Sequence, residues 1–313
     1  MVKSFQIALE VVFPIFCLIS IGYLIQRLQL VKREVFLEMN KLVFMLFLPM
    51  VIFKSIINSR IEEAFNGNLI LFCMIAILVV LAASMFLVHL FEKDPDKKGV
   101  MVLAMFRSNF ALFGLPIVLS LYSDIGITSI MIACLIPFLN VLGVSVMQVY
   151  RGVQFNLRHT LNELIHNPLI IAAIAGILFL ILNIHLPDLI NDVVITISDM
   201  ASPMALIVLG GVFQFHKLYK NIGRVAFVVG TRLVLVPVAV LSVAAFLGYR
   251  GIELISMMVL FGSPVAVSVS PMAMAMKGDY ELACQVVFVS TMLAIFTVFL
   301  WVFLFQSLGW IVA

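Results

Sequence analysis

The chain has 313 residues, 64% of them hydrophobic and 11% charged, with a mean hydropathy of +1.22 and a formal net charge of +3. That much apolar surface exceeds what a single soluble core could bury, so a soluble domain is excluded and an integral membrane protein is required. The small net charge implies loop asymmetry rather than a nucleic-acid-binding surface.

Apolar stretches near 20 residues match a hydrocarbon slab of roughly 30 Å at 1.5 Å rise per residue. Ten spans are predicted, at about 5–26, 35–57, 67–91, 99–122, 125–149, 167–184, 199–216, 225–247, 252–276 and 281–305. Glu10 and Pro14 interrupt the first, and no small-x-small cleavage site follows it, so it reads as a retained helix rather than a signal peptide. Cys17, Cys73, Cys134 and Cys284 all fall in apolar spans without CxxC spacing, the pattern of buried free thiols.

Orientation follows from the short loops. One set of alternate loops holds twelve Lys and Arg residues, among them Arg27, Lys93, Arg151, Arg224 and Lys277; the other holds Lys3, Lys54, Arg60 and Arg250. The positive-inside rule puts the first set in the cytoplasm of a multi-pass inner (plasma) membrane protein and both termini outside. The longest connection, 151–166, is a cytoplasmic linker between residues 1–150 and 167–313.

Span 4 carries a stretch that an ordinary lipid-crossing helix would not: Phe106-Arg107-Ser108-Asn109, then Gly114 and Pro116, with Asp124 beyond. Non-helical backbone at membrane depth is tolerated only where it is packed in protein or lines a polar cavity. Span 9 repeats the stretch as Phe261, Ser263, Pro264, Ser268, Ser270 and Pro271, with Asp279 beyond; adding 155 to Phe106, Ser108, Pro116 and Asp124 reaches residues of the same type. Pro14 and Gly22 correspond to Pro168 and Gly176 at an offset of 154, as Pro49-Met50 does to Pro203-Met204. Five spans per copy force the second copy to run inverted. The fold class is therefore an all-α polytopic membrane protein, a 5+5 inverted repeat with two crossing broken helices, the arrangement that marks a transporter's substrate site.

Two half-helix N-termini meeting at the bilayer centre would make an anion site. Pro116 and Pro271 lie near those starts, where a missing N–H costs least. Asn109, Ser108, Ser263, Ser268 and Ser270 offer side-chain donors and acceptors. Arg107 and Arg232 lie within spans 4 and 8, where an Arg costs roughly 2.5–3.5 kcal/mol to insert and is seldom idle. Each could offset a carboxylate's charge or pair with helix C-terminal carbonyls, and Arg107, which adjoins the break, is the favoured direct contact. No carboxylate sits mid-span in either broken helix, which disfavours a cation site built on a deep acidic pair. Enzyme, cofactor and metal motifs are missing: no GxxxxGK[ST], no HExxH, no GxSxG, and five histidines without ligand spacing.

Three places resemble the auxin efflux carrier family, which includes the plant PIN-formed exporters and bacterial carriers for malonate or malate. Asn40 through Pro49 to Phe53 resembles its second helix, and Asn109-x4-Gly114-x-Pro116 its first crossover. Pro264 through Pro271 to Lys277-Gly278-Asp279-Tyr280, with Ser290-Thr291, resembles its second crossover and last helix, and Arg232 and Pro237 are similar to span 8 of the plant proteins. The resemblance implies a scaffold from spans 1, 2, 6 and 7, a transport domain from spans 3–5 and 8–10, and an elevator-like movement. By position, Asn109, Pro116 and Pro271 would frame the site and Pro49 would face it. The Ser-rich stretch Val265–Ser270 is longer than the plant spacing between prolines, and the long plant cytoplasmic loop is absent, which points away from auxin. The partners this reading admits are a small organic anion, the bilayer, a proton or sodium ion for coupling, and a second copy in a homodimer. Its rivals are a sodium-coupled symporter of bile-acid-carrier type and a non-transporting sensor or assembly protein.

Overall fold

A computed structural model of the chain describes residues 2–57, 66–110, 114, 117–118, 121–122, 126–150, 168–182, 184–213 and 215–311. Pro116, Asp124 and the linker 151–166 lie outside the described residues. The named elements are all helical: α1 (Val2–Arg27), α2 (Arg33–Leu42), α3 (Leu48–Ile57), α4 (Gly67–Phe91), α5 (Pro95–Phe106), α6 (Gly126–Tyr150) and α7 (Pro168–Ile181), then α8 (Asp188–Val212), α9 (Phe215–Gly230), α10 (Val236–Phe246), α11 (Gly251–Gly262), α12 (Val269–Ala275) and α13 (Tyr280–Ser307). Among the described residues, six helical runs are long and apolar enough to cross a bilayer: Arg33–Lys54, Gly67–Phe91, Ile130–Tyr150, Asp188–Val212, Leu218–Phe246 and Tyr280–Ser307. Phe16–Arg27 and Gly251–Gly262 are shorter apolar helices.

Two helices differ from their expected bounds: α9 begins at Phe215, ten residues before the expected 225, so that Lys217, Lys220 and Arg224 lie within it instead of in a loop. α8 begins at Asp188, not near Asp199, so Asp188 and Asp192 belong to the helix instead of a loop and Asp199 lies inside it. Pro187 at the N-cap and an aspartate in the first turn both suit a helix start, the carboxylate because it meets the positive end of the helix dipole.

Prolines shape two of the long runs. Pro49 and Pro237 lack an amide, and their rings exclude the carbonyl four residues back. Before each, one turn widens to a π-helix, at Val43–Phe47 and Thr231–Leu235. The carbonyl released by Pro237, that of Leu233, accepts from Trp301 Nε1 at 3.4 Å.

α1 and α8 cross almost backbone to backbone. A Cβ on Gly22 would lie 1.9 Å from the Ile207 carbonyl oxygen, and one on Gly210 would lie 1.9 Å from that of Ile19. Small residues permit this approach where lipid offers no hydrophobic drive for helix association. α3 and α7 also pack through a glycine but less closely, Gly176 facing the Ile56 side chain, where a Cβ would stand 3.0 Å from that of Ile56.

The interruptions lie where α5 ends at Phe106 and α11 at Gly262. Pro264 sterically biases Ser263 away from the helical region, and Ser263 is extended at φ −69°, ψ 155°. Arg107, at φ −89°, ψ 111°, is extended too, and helical backbone resumes at Phe110. The two extended segments pair. Asn109 N–H donates to the Pro264 carbonyl at 2.9 Å, Ala266 N–H to the Arg107 carbonyl at 3.2 Å, and Ser108 and Val265 form an antiparallel bridge. The Val265 amide donates to Ser290 Oγ at 3.2 Å.

Candidate functional site

The pairing of the two breaks leaves a cavity of about 110 Å³ on one side. Its floor is Arg107–Phe110 and Ala266–Ser268; its walls are Leu48, Val51 and Ile52 of α3, Ile136, Leu139 and Asn140 of α6, and Ala201, Ser202 and Ala205 of α8. The volume admits several water-sized particles. The walls are mostly aliphatic, and among the described residues no Asp or Glu lines them. Few polar groups among apolar walls is the usual make-up of a small-molecule site.

Arg107 is the cation of the cavity. It caps α5, is 6% exposed, and directs its guanidinium at α6: Nη2 donates to Asn140 Oδ1 and Nη1 to Met272 Sδ at 3.4 Å. Gly143, one turn beyond Asn140, makes room, because a Cβ there would stand 2.7 Å from Arg107 Nη1. Among the described residues no carboxylate pairs with Arg107, although a buried charge is costly unless it is paired.

Ser108 Oγ and Asn109 Nδ2 are buried without hydrogen-bond partners among the described residues, and both residues line the cavity. Ser268 lines it as well. Ser263 Oγ is likewise buried and unpartnered, but Ser263 is not part of the wall. Ser270 is turned to structural use, its hydroxyl donating to the Val267 carbonyl at 3.0 Å. Pro264 contributes its carbonyl to the bridge, and Pro271 occupies the first turn of α12, where no intrahelical partner for its nitrogen is needed. Gly114 is buried and helical; a Cβ there would press on the Phe110 ring at 3.0 Å and on Val259 at 3.2 Å. Pro49 is buried next to the lining residue Leu48.

Arg232 sits elsewhere. It is fully buried in the π-turn and lines no part of the cavity. Its guanidinium donates to the carbonyls of Leu260 at 2.8 Å and Ser263 at 3.1 Å, and to those of Met105 at 3.3 Å and Phe106 at 3.4 Å. One cation therefore covers the C-terminal carbonyls of both α5 and α11, satisfying acceptors that a helix end cannot satisfy itself. It also places positive charge where both helix dipoles are negative.

Sequence reasoning missed Asn140 and Ser202. The available signal was modest: an amide and a hydroxyl within apolar runs, the first three residues after Pro137 and the second one before Pro203.

The model of the membrane transport protein family matches residues 7–161 and 151–302. An uncharacterized transporter of Methanocaldococcus jannaschii is 20% identical over 98% of this chain and 99% of its own length. One of Methanothermobacter thermautotrophicus is 21% identical over 93% and 96%. With the family match running across nearly the whole chain, the protein belongs to the membrane transport protein family, that of the auxin efflux carriers.

Proposed function

We propose that the protein is a secondary active or facilitative carrier of a small organic anion, a mono- or dicarboxylate such as malonate or malate, working by elevator-type alternating access. The observation that carries this reading is Arg107, a buried cation without a carboxylate partner among the described residues, beside the unpartnered Asn109 Nδ2 and Ser108 Oγ. A carboxylate in the cavity would satisfy all three, and hydrogen bonds to an ionised group are the strong ones. Asn140 would hold the guanidinium in place, and Ser268 and Ser202 would border the guest.

The same arrangement argues against a sodium site at the carbonyl ends of the broken helices. Four carbonyls at those ends already accept from Arg232.

In this reading the chain crosses the inner membrane ten times, with both termini outside, as two inverted copies over 1–150 and 167–313. The glycine crossings support the duplication. Gly22 packs on Ile207 of α8 and Gly176 on Ile56 of α3; the offset of 154 relates Gly22 to Gly176, and relates Ile56 to Gly210, which packs against α1. α1, α3, α7 and α8 then form the scaffold, past which the crossing helices carry the cavity.

The test is uptake and counterflow of labelled malonate and malate in proteoliposomes, with and without sodium and a pH gradient. Carrier-dependent flux that is lost in Asn109→Ala and Arg107→Gln, with membrane insertion retained, is expected. Flux at the parent rate in either variant would remove that residue from the site.

A further inference from the structure

An ion pair stands one helical turn from the cavity on each of two walls. Lys54 Nζ and Asp199 Oδ1 are 2.6 Å apart, joining α3 to α8. Lys54 follows the lining residue Val51 by three positions, and Asp199 precedes the lining residue Ser202 by three, so both extend the faces that wall the cavity. Unlike Arg107, the pair is open: the side chains are 28% and 65% exposed. An exposed lysine–carboxylate pair contributes little to stability, because solvent competes for both charges, and its partners exchange readily.

We propose that Lys54 is a staging site for the carboxylate guest at the mouth of the cavity, with Asp199 its resting counter-ion. An arriving carboxylate takes the place of Asp199 on the ammonium group, then moves about one helical turn inward to Arg107. Asp199 sets the threshold: it keeps Lys54 neutralised until an anion competes for it, and it repels anions that do not. This assignment rests on the carrier reading above, and it adds a selection step that the buried site lacks. A cation on a narrow approach raises the local concentration of anions and their rate of arrival.

The experiment reads anion access without needing a transported substrate. A cysteine is placed in the wall by Ser202→Cys, and its modification by a sulfonate-bearing thiosulfonate reagent is timed against that by a neutral one, above the background of the four native cysteines. Expected is a slowing on the order of tenfold with the anionic reagent in Lys54→Gln, recovery in Lys54→Arg, acceleration in Asp199→Asn, and no change with the neutral reagent. In labelled-malonate flux, the same two neutralising variants should move KM in opposite directions at constant kcat. Rates independent of residue 54, a Ser202→Cys thiol closed to both reagents, or equal impairment by Lys54→Gln and Asp199→Asn, as a simple staple between α3 and α8 would give, would each overturn the staging site. Absence of malonate flux in the parent protein would instead count against the carrier reading and leave the reagent rates unaffected.

Discussion

The Asn109 amide donates to the Pro264 carbonyl at 2.9 Å, joining two interrupted helices backbone to backbone. Inside a bilayer each interruption would strand amides and carbonyls with no water to receive them. The reciprocal bond from the Ala266 amide engages the Arg107 carbonyl, and the Arg232 guanidinium engages those of Ser263, Met105, Phe106 and Leu260. Two side-chain atoms at the crossing, Ser108 Oγ and Asn109 Nδ2, are buried without partners among the described residues, and both residues line the cavity.

Arg232 should matter for stability more than for specificity. Arg232→Ala would orphan carbonyls at the ends of α5 and α11, each costing about 1–3 kcal/mol, so a loss of about 3 kcal/mol or more is expected. Thermal unfolding in detergent checks this. Arg232→Lys should recover only part, since one ammonium cannot span four acceptors on two chain segments.

Arg107 should behave in the opposite way. Removing a buried, uncompensated charge relieves its desolvation cost, and Gln in its place keeps a donor for Asn140. Arg107→Gln is expected to melt at or above the parent temperature while losing any stabilisation by malonate or malate, a loss of at least about tenfold in affinity. A thermal-shift titration of both proteins measures the two effects together.

The helix crossing offers a prediction with its own control. Gly22→Ala or Gly210→Ala puts a methyl group 1.9 Å from a carbonyl oxygen of the facing helix, so α1 and α8 must separate, at a cost on the order of 3 kcal/mol. Gly223, inside α9, has nothing within 4 Å of a Cβ. Gly223→Ala should be neutral or stabilising by about 0.4–1 kcal/mol, because alanine narrows the unfolded ensemble. Denaturation midpoints of the three variants settle the comparison.

Glu92 follows α4 directly and is 6% exposed. Burial opposes its ionisation, but the Arg224 guanidinium and the Asp94 and Lys93 amides outweigh burial and hold the carboxyl down at about 2, against its usual 4.5. A carboxyl with a lowered folded-state pKa stabilises fully above its unfolded value, and the contribution is lost as pH falls toward the folded one. The melting difference between the parent and Glu92→Gln should be constant from pH 8 to about 5, then shrink between about 4.5 and 2. A difference that grows on acidification would refute the pairing.

Trp301→Phe removes the donor to the Leu233 carbonyl while keeping an aromatic ring, and about 1 kcal/mol of stability should go with it. Pairing it with Pro237→Ala is informative. Where alanine restores an amide for Leu233, the tryptophan bond becomes redundant and the two effects should not add.

Composition alone decided that this chain lives in a bilayer, because nothing else accommodates 64% hydrophobic residues in 313. The break in span 9 was also local: Pro264 biases Ser263 out of the helix wherever that dipeptide occurs. The end of α5 at Phe106 was not local, since Arg107, Ser108 and Asn109 have no comparable backbone restriction; they are extended because the Pro264–Ala266 segment lies alongside and exchanges hydrogen bonds with them. The roles of the two buried arginines were likewise undecided by position, both lying within apolar spans. Tertiary structure separated them, because only folding shows which guanidinium meets helix-end carbonyls and which is left facing a cavity. The same holds for Asn140 and for Lys54 with Asp199, whose partners lie 33 and 145 residues away along the chain. Periodicity and local sterics can be read in one dimension, whereas the satisfaction of a buried polar group is a property of whatever the fold brings beside it.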